Sequence, residues 1–248
     1  MSSDVRDGFR LNDSIRLLPG GAVLLPEAKA LLISDLHLGC EAALEYEGLS
    51  IPRIQTRRIR EYLTGLIDNL DVSRMIIVGD LKHNFSRNLV QEWQDVSSFL
   101  SDFSSRLSIE VVKGNHDNYL GLILREHSIP LVNEMEVCGI RILHGHQGSL
   151  DDRPTIIGHL HPSLVLRDTA GASVKDNCFL FNERQYILVL PAQSILAGGV
   201  DVVRQSSSDT ISPLIAEGGL GGFVPIVFTG NKALRFPEIR KIREKGRV

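Results

Sequence analysis

Cysteine is scarce in this chain. Of 248 residues only Cys40, Cys138 and Cys178 are cysteine, far apart and with no paired spacing, which excludes a disulfide framework and a thiolate zinc knuckle. Long apolar runs are also missing. Stretches such as Ile187 to Leu190 and Pro213 to Ala216 fall far short of the roughly 18 residues a membrane span needs. The first twenty residues interleave Asp4, Arg6, Asp7 and Arg10 with small and apolar residues, which breaks up the apolar core of a secretory signal. A cytoplasmic protein with no membrane partner is expected. Nor is there an excess of positive charge. A net charge of -3 excludes the uniform positive field of a protein that wraps nucleic acid, while leaving room for local basic patches. Two such patches occur, at Arg53, Arg57, Arg58 and Arg60 and in the tail from Lys232 to Val248. Solvated helix faces are the plainer reading of both.

What remains is an ordinary globular composition, 43% hydrophobic and 23% charged, long enough to bury a full core. Three short apolar runs end in polar residues. Ala30 to Ile33 precedes Ser34-Asp35, Met75 to Val78 precedes Gly79-Asp80, and Ile109 to Val112 precedes Gly114-Asn115. Each reads as a buried strand. Segments at helical spacing, from about Pro52 to Asn69 and Leu89 to Phe103, lie between them. The alternation predicts a βαβαβ core with a mostly parallel sheet, whose ligands sit beyond the carboxyl ends of the strands. After Glu134 the rhythm shifts to short strands at Met135 to Val137, Ile140 to Leu143 and Thr155 to Gly158, with a hairpin from Cys178 to Asn182 and Tyr186 to Leu190, which predicts a second sheet. There is no internal repeat and no low-complexity linker, so residues 1–248 are expected to form a single domain, with 35–161 carrying the chemistry and 162–248 a β- and loop-rich C-terminal part.

The ends of these strands carry Asp35 and His37, then Asp80 and His83, then Asn115, His116 and Asp117, then His144 and His146, then His159 and His161. A lone histidine beside an apolar run is usually a satisfied core or surface residue, and His127, isolated before Pro130, is read that way. Seven of eight histidines in short clusters after strands are not explained so. The i, i+2 pairs Asp35-x-His37 and His159-x-His161 put two side chains on one side of an extended segment, the spacing at which both reach one metal. Carboxylate, amide carbonyl and imidazole donors without thiolates suit Mn, Fe, Zn or Co. A carboxylate bridging two such ions, about 3.5 to 4 Å apart, would activate water near neutral pH and clamp an in-line displacement. Gly79 and Gly114, just before Asp80 and Asn115, would let the backbone turn sharply beside the metals.

The blocks DLHLG (35–39), GDLKH (79–83), GNHD (114–117), HGH (144–146) and GHLH (158–161) resemble, in order, the five motifs of the calcineurin-like metallophosphoesterases. GDLKHNF, GHLHP and the later LPAQS are similar to the SbcD-related, ICC-like phosphoesterases. The resemblance implies two mixed β-sheets packed as a sandwich flanked by helices, and two divalent ions, Mn2+ foremost with Fe, Zn, Co or Ni as alternatives. It implies one ion on Asp35, His37, Asp80 and His161 and the other on Asp80, Asn115, His144 and His159, so that Asp80 bridges. His116 would stand beside the scissile phosphate as an acid, with Asp117 orienting it. His83 and His146 would line the substrate cleft. The activity implied is hydrolysis of a phosphate ester, with a phosphodiester or nucleic acid preferred. The alternatives are a small-molecule phosphomonoester, a cyclic nucleotide, or a non-catalytic metal-binding scaffold. Homodimers are common among such folds.

Overall fold

The computed structural model describes residues 8–49, 51–85, 89–167, 170–205, 212–216 and 219–245. Three short strands open the chain, β1 (Phe9–Arg10), β2 (Arg16–Leu17) and β3 (Val23–Leu25), and lead into the expected β4 (Ala30–Ile33). Helices α1 (Cys40–Tyr46) and α2 (Gln55–Asn69), strand β5 (Arg74–Val78), helix α3 (Val90–Ser104), strand β6 (Ser108–Val112), helix α4 (Leu120–Glu126) and strand β7 (Leu131–Val132) complete a sheet of order β1-β2-β3-β4-β5-β6-β7. Strands β4 to β7 pair in parallel, as the strand–helix alternation requires, and β1 to β3 extend the sheet antiparallel from β4.

The second sheet holds β8 (Glu134–Val137), β9 (Ile140–Leu143), β10 (Thr155–Ile157), β11 (Pro162–Arg167), β12 (Ser173–Asn182), β13 (Ile187–Val189) and β14 (Val200–Asp201) in the order β14-β11-β12-β13-β10-β9-β8. After the short helix α5 (Pro213–Ala216), strands β15 (Val224–Thr229) and β16 (Lys232–Arg235) join it through β12, and helix α6 (Ile239–Lys245) follows. Residues 162–248, expected to be β- and loop-rich, therefore supply six strands to this sheet within their described part. The basic segment from Lys232 divides between β16 and α6, and residues 246–248 lie outside the described ones.

Side-chain alternation along the strands explains the layering. In β4, Leu31 and Ile33 turn to one face, where α2, α3 and α4 cover them with Ile59, Leu63, Phe99, Phe103 and Ile123. Ala30 and Leu32 turn to the other, against Ile142, Ile156, Phe179, Leu188 and Ile226 of the second sheet. The far face of the second sheet packs on Leu214, Leu220, Phe223 and Ile239. The order of layers is thus helix, sheet, sheet, then the C-terminal helices and loops. It is the expected mixed α/β sandwich.

Candidate metal centre

Parallel neighbours β4, β5 and β6 deliver whatever follows them to one edge of their sheet. Asp35, Asp80 and Asn115 arrive there, and backbone hydrogen bonds from Asp35 N to Gly79 O (3.1 Å) and from His37 N to Asp80 O (2.9 Å) continue the pairing past the strand ends. In the second sheet the parallel pair β9 and β10 delivers His144 and His159 to the same place, with Gly158 N donating to His144 O at 3.0 Å. His159 N closes the gap between the sheets by donating to Asp35 Oδ2 at 3.0 Å.

Five site residues lie in the left-handed region: Asp35 (φ 55), His37 (φ 46), Asp80 (φ 50), His159 (φ 69) and His161 (φ 46). For residues with a Cβ each such turn costs about 1–2 kcal/mol, and it persists only where the surroundings fix it. Here they do. Gln193 N and Ser194 N donate to Ser34 O (2.9 Å) and Asp35 O (3.0 Å), and Gln55 Nε2 donates to Leu36 O (3.2 Å) and His37 O (2.9 Å). The glycines act through space. A methyl group on Gly79 would lie 2.1 Å from His144 Nδ1, and one on Gly114 would lie 2.1 Å from Asp80 Oδ1.

Two donor groups form. Asp35, His37, Asp80 and His161 each bring one donor atom within 4.8 Å of the others, and so do Asp80, His144 and His159. Asp80 belongs to both. The sequence-expected Asn115 joins the second group, its Oδ1 3.2 Å from His144 Nε2. Nitrogen faces nitrogen where His37 Nε2 and His161 Nε2 stand 3.3 Å apart, and His161 Nε2 is 3.1 Å from Asp35 Oδ1. His144 Nδ1 lies 3.0 Å from Val78 O, which places an N–H there and turns Nε2 towards Asp80, so that Nε2 can act as a ligand once it sheds its proton, the arrangement metal-binding histidines use. A mixed oxygen and imidazole set of this kind fits divalent cations.

Proton affinities are pulled apart by burial and mutual charge. Burial drives His37 down to about 3. Burial and the neighbouring His144 take His159 to about 4. Burial also opposes the cation of His144, but the Asp80 hydrogen bond and the charges of Asp35 and Asp80 outweigh it and raise His144 to about 9. His161 is raised in the same way by Asp35. Burial opposes ionisation of Asp35, yet the charges of His161, His144 and His37 hold its carboxyl well below the usual range.

His83 and His116 flank the first group. His116 N donates to Asp80 Oδ1 at 2.8 Å, and its Nδ1 lies 2.5 Å from the backbone oxygen of His83. The His83 ring stacks on His116 at 5.9 Å, and the exposed Phe85 ring meets His116 edge-on at 6.1 Å. His37, His83 and His116 make a third set of converging donors. His146 flanks the second group, 5.3 Å from His144 and 6.0 Å from His159, beside a cavity of about 230 Å³ that Asn133 and Gln147 also line. His127 stays apart, 2.7 Å from Ser97 Oγ at the end of α4.

Asp117 differs from its expected part. Its buried carboxylate accepts from the backbone N–H groups of Asp80 (2.8 Å), Gly114 (2.8 Å) and Lys82 (3.3 Å), not from the His116 ring. It ties the ends of β5 and β6 together, and burial with the nearby Asp80 charge pushes it up to about 6.

Two residues escaped the sequence reading although the signal was there. The buried stripe of α2 is Gln55, Ile59, Leu63 and Leu66, and that of α3 is Glu92, Val96, Phe99, Leu100 and Phe103. Each apolar stripe begins with a polar residue that turns towards the site. Gln55 holds the Asp35–His37 turn from below, in concert with Ser194, whose Oγ donates to Gln55 Oε1 at 2.6 Å. Glu92 Oε1 accepts from His83 N (2.9 Å) and Asn84 N (2.5 Å).

Oxygen and imidazole donors gathered between two sheets, at the carboxyl ends of their strands, mark a metal-assisted hydrolase. The profile of the calcineurin-like phosphoesterases matches residues 28–190. The chain belongs to that family and is a hydrolase of phosphate esters. Its fold is similar to the crystal structure of Pseudomonas putida nuclease MPE, with a TM-score of 0.64 over 86% of this chain and 91% of that one, at 22% identity. No curated protein matches the sequence. Among the described residues no helix is long and apolar enough to cross a membrane.

Proposed function

We propose that the chain is a phosphodiesterase acting on nucleic acid through a dinuclear centre of Mn2+ or a similar divalent ion. Asp35, His37, Asp80 and His161 hold one ion, and Asp80, Asn115, His144 and His159 the other. The observation that carries this reading is the shared membership of Asp80 in both donor groups, since a carboxylate within reach of both sets could serve two ions held close together. Ions bound there supply Lewis-acid polarisation of the phosphoryl oxygens and activation of water near neutral pH.

The chain's own residues do the rest. The bond from His116 N to Asp80 Oδ1 holds the His116 backbone against the bridging carboxylate. With Nδ1 engaged by the His83 carbonyl, Nε2 is the nitrogen left to carry a proton to the leaving oxygen. His83 and His146, at opposite flanks, orient the ester. The preference for nucleic acid rests on Phe85, an aromatic ring 56% exposed beside His116, where a base next to the cleaved phosphate can stack. The name of the neighbouring nuclease agrees with this.

The test is turnover of bis(p-nitrophenyl) phosphate with added Mn2+, alongside metal analysis. His116→Ala should lower kcat by about 10²–10⁴ with both ions still bound, and Asp80→Asn should lose activity and metal together. Stoichiometric metal binding without turnover of any phosphate ester would leave only the scaffold reading. Turnover of monoesters or cyclic nucleotides, but not of oligonucleotides, would move the substrate to a small molecule.

A further inference from the structure

His116 needs an orientation that Asp117 does not give it, and the structure assigns that task to Glu92, acting through the backbone of the 82–84 turn. Resting on the dinuclear reading above, we propose that Glu92 is a positioning residue for the acid His116. The chain of contacts is short. Glu92 is 1% exposed and begins the buried stripe of α3. Its Oε1 accepts both the His83 and Asn84 backbone N–H groups, at 2.9 and 2.5 Å. Those two bonds fix the peptide planes on either side of His83, and the carbonyl of His83 is the group 2.5 Å from His116 Nδ1. A carbonyl can only accept. It therefore binds His116 as the Nδ1–H form and sets which way Nε2 points.

The other face of Glu92 keeps the turn closed. Lys82 has a fully buried side chain whose Nζ donates to Asn84 O and stands 3.9 Å from Glu92 Oε2. Glu92 Oε2 itself has no hydrogen-bond partner. A carboxylate chosen for an ion pair alone would present its oxygens to the cation. Here the short bonds go to the two N–H groups, and the cation stands further off. Reach, more than charge, is what the arrangement uses.

That distinction sets the experiment. Glu92→Gln keeps the length and the accepting oxygen but removes the charge opposite Lys82. Glu92→Asp keeps the charge but withdraws the oxygens by one methylene. Mn2+-dependent turnover of bis(p-nitrophenyl) phosphate is measured for each at temperatures where both are folded, with bound metal counted. The expected result is kcat within about threefold of the parent for Glu92→Gln and a fall of about ten- to a hundredfold for Glu92→Asp, the scale of an ångström's misplacement, with KM and metal content unchanged. The reverse order would assign Glu92 to charge balance. An equal effect of both variants, or a loss of metal in step with kcat, would make it a structural residue only. Either overturns the proposal. An inactive parent enzyme with both ions bound would instead remove the phosphodiesterase reading, and the role of Glu92 with it.

Discussion

Replacing Gly114 by alanine tests whether close approach of β5 and β6 builds the site. Gly114 is not in the left-handed region, and such a substitution normally stabilises by about 0.4–1 kcal/mol through the unfolded chain. Here the new carbon would lie 2.1 Å from Asp80 Oδ1 and 2.3 Å from Asp80 N. Comfortable contact is about 3.5 Å, so Asp80 must retreat by roughly 1 Å or more. Its backbone cannot do so freely, because Asp117 binds the N–H groups of Asp80 and Gly114 at 2.8 Å each. Overpacking of this kind costs about 1–3 kcal/mol, and the net loss of about 1–2 kcal/mol corresponds to a fall in Tm of roughly 2–8 °C. The effect on turnover should be larger, about a hundredfold or more, because the displaced group is the carboxylate proposed to bridge the ions. Gly139→Ala is the control. It also adds a methyl group, at φ 74 but with nothing within 4 Å, so it should cost about 1–2 kcal/mol and leave kcat alone. Thermal melts, metal analysis and diester turnover decide the matter. A Gly114→Ala enzyme with two ions and parental kcat would refute the reasoning.

Phe85→Ala should weaken binding of a single-stranded oligonucleotide by about 5- to 150-fold, the worth of one stacked base; placing an abasic site at the same nucleotide should then cost nothing more, as fluorescence anisotropy would show. Metal binding should release protons at pH 7.5, because the metal-free His144, near 9, and the raised His161 carry protons that a ligand must shed. Affinity should accordingly climb with pH towards about 9 and weaken as pH falls. Calorimetry in two buffers of different ionisation enthalpy would show the release, and equal heats in both would contradict it.

The donors were legible because each follows a short apolar run, and the parallel pairing of β4, β5 and β6 carries Asp35, Asp80 and Asn115 to one sheet edge. The two-sheet sandwich was legible for the same reason, from strand rhythm and from the family resemblance. Strands β1 and β2 were not, since two-residue strands leave no period to read. Nor was the first half of β12, where Ser173 to Asn177 is exposed and polar but for Val174 and holds its place by pairing with β11. The part played by Asp117 was hidden because its partners are backbone groups up to 37 positions away, and backbone donors leave no trace in side-chain identity. Gln55 and Glu92 were visible in principle, as polar intrusions in apolar helical stripes.

The hydrogen bonds from Gln193 and Ser194 to Ser34 and Asp35 mean that the smallest piece of this chain able to bind metal is much longer than the stretch containing the donors. A fragment ending after His161 would keep every candidate ligand yet release the first left-handed turn, and would lose β13, which lies beside β10 in the second sheet. Minimal versions made by trimming, or fusions joined near residue 190, would therefore be cut through the bracket that keeps Asp35 in its bend.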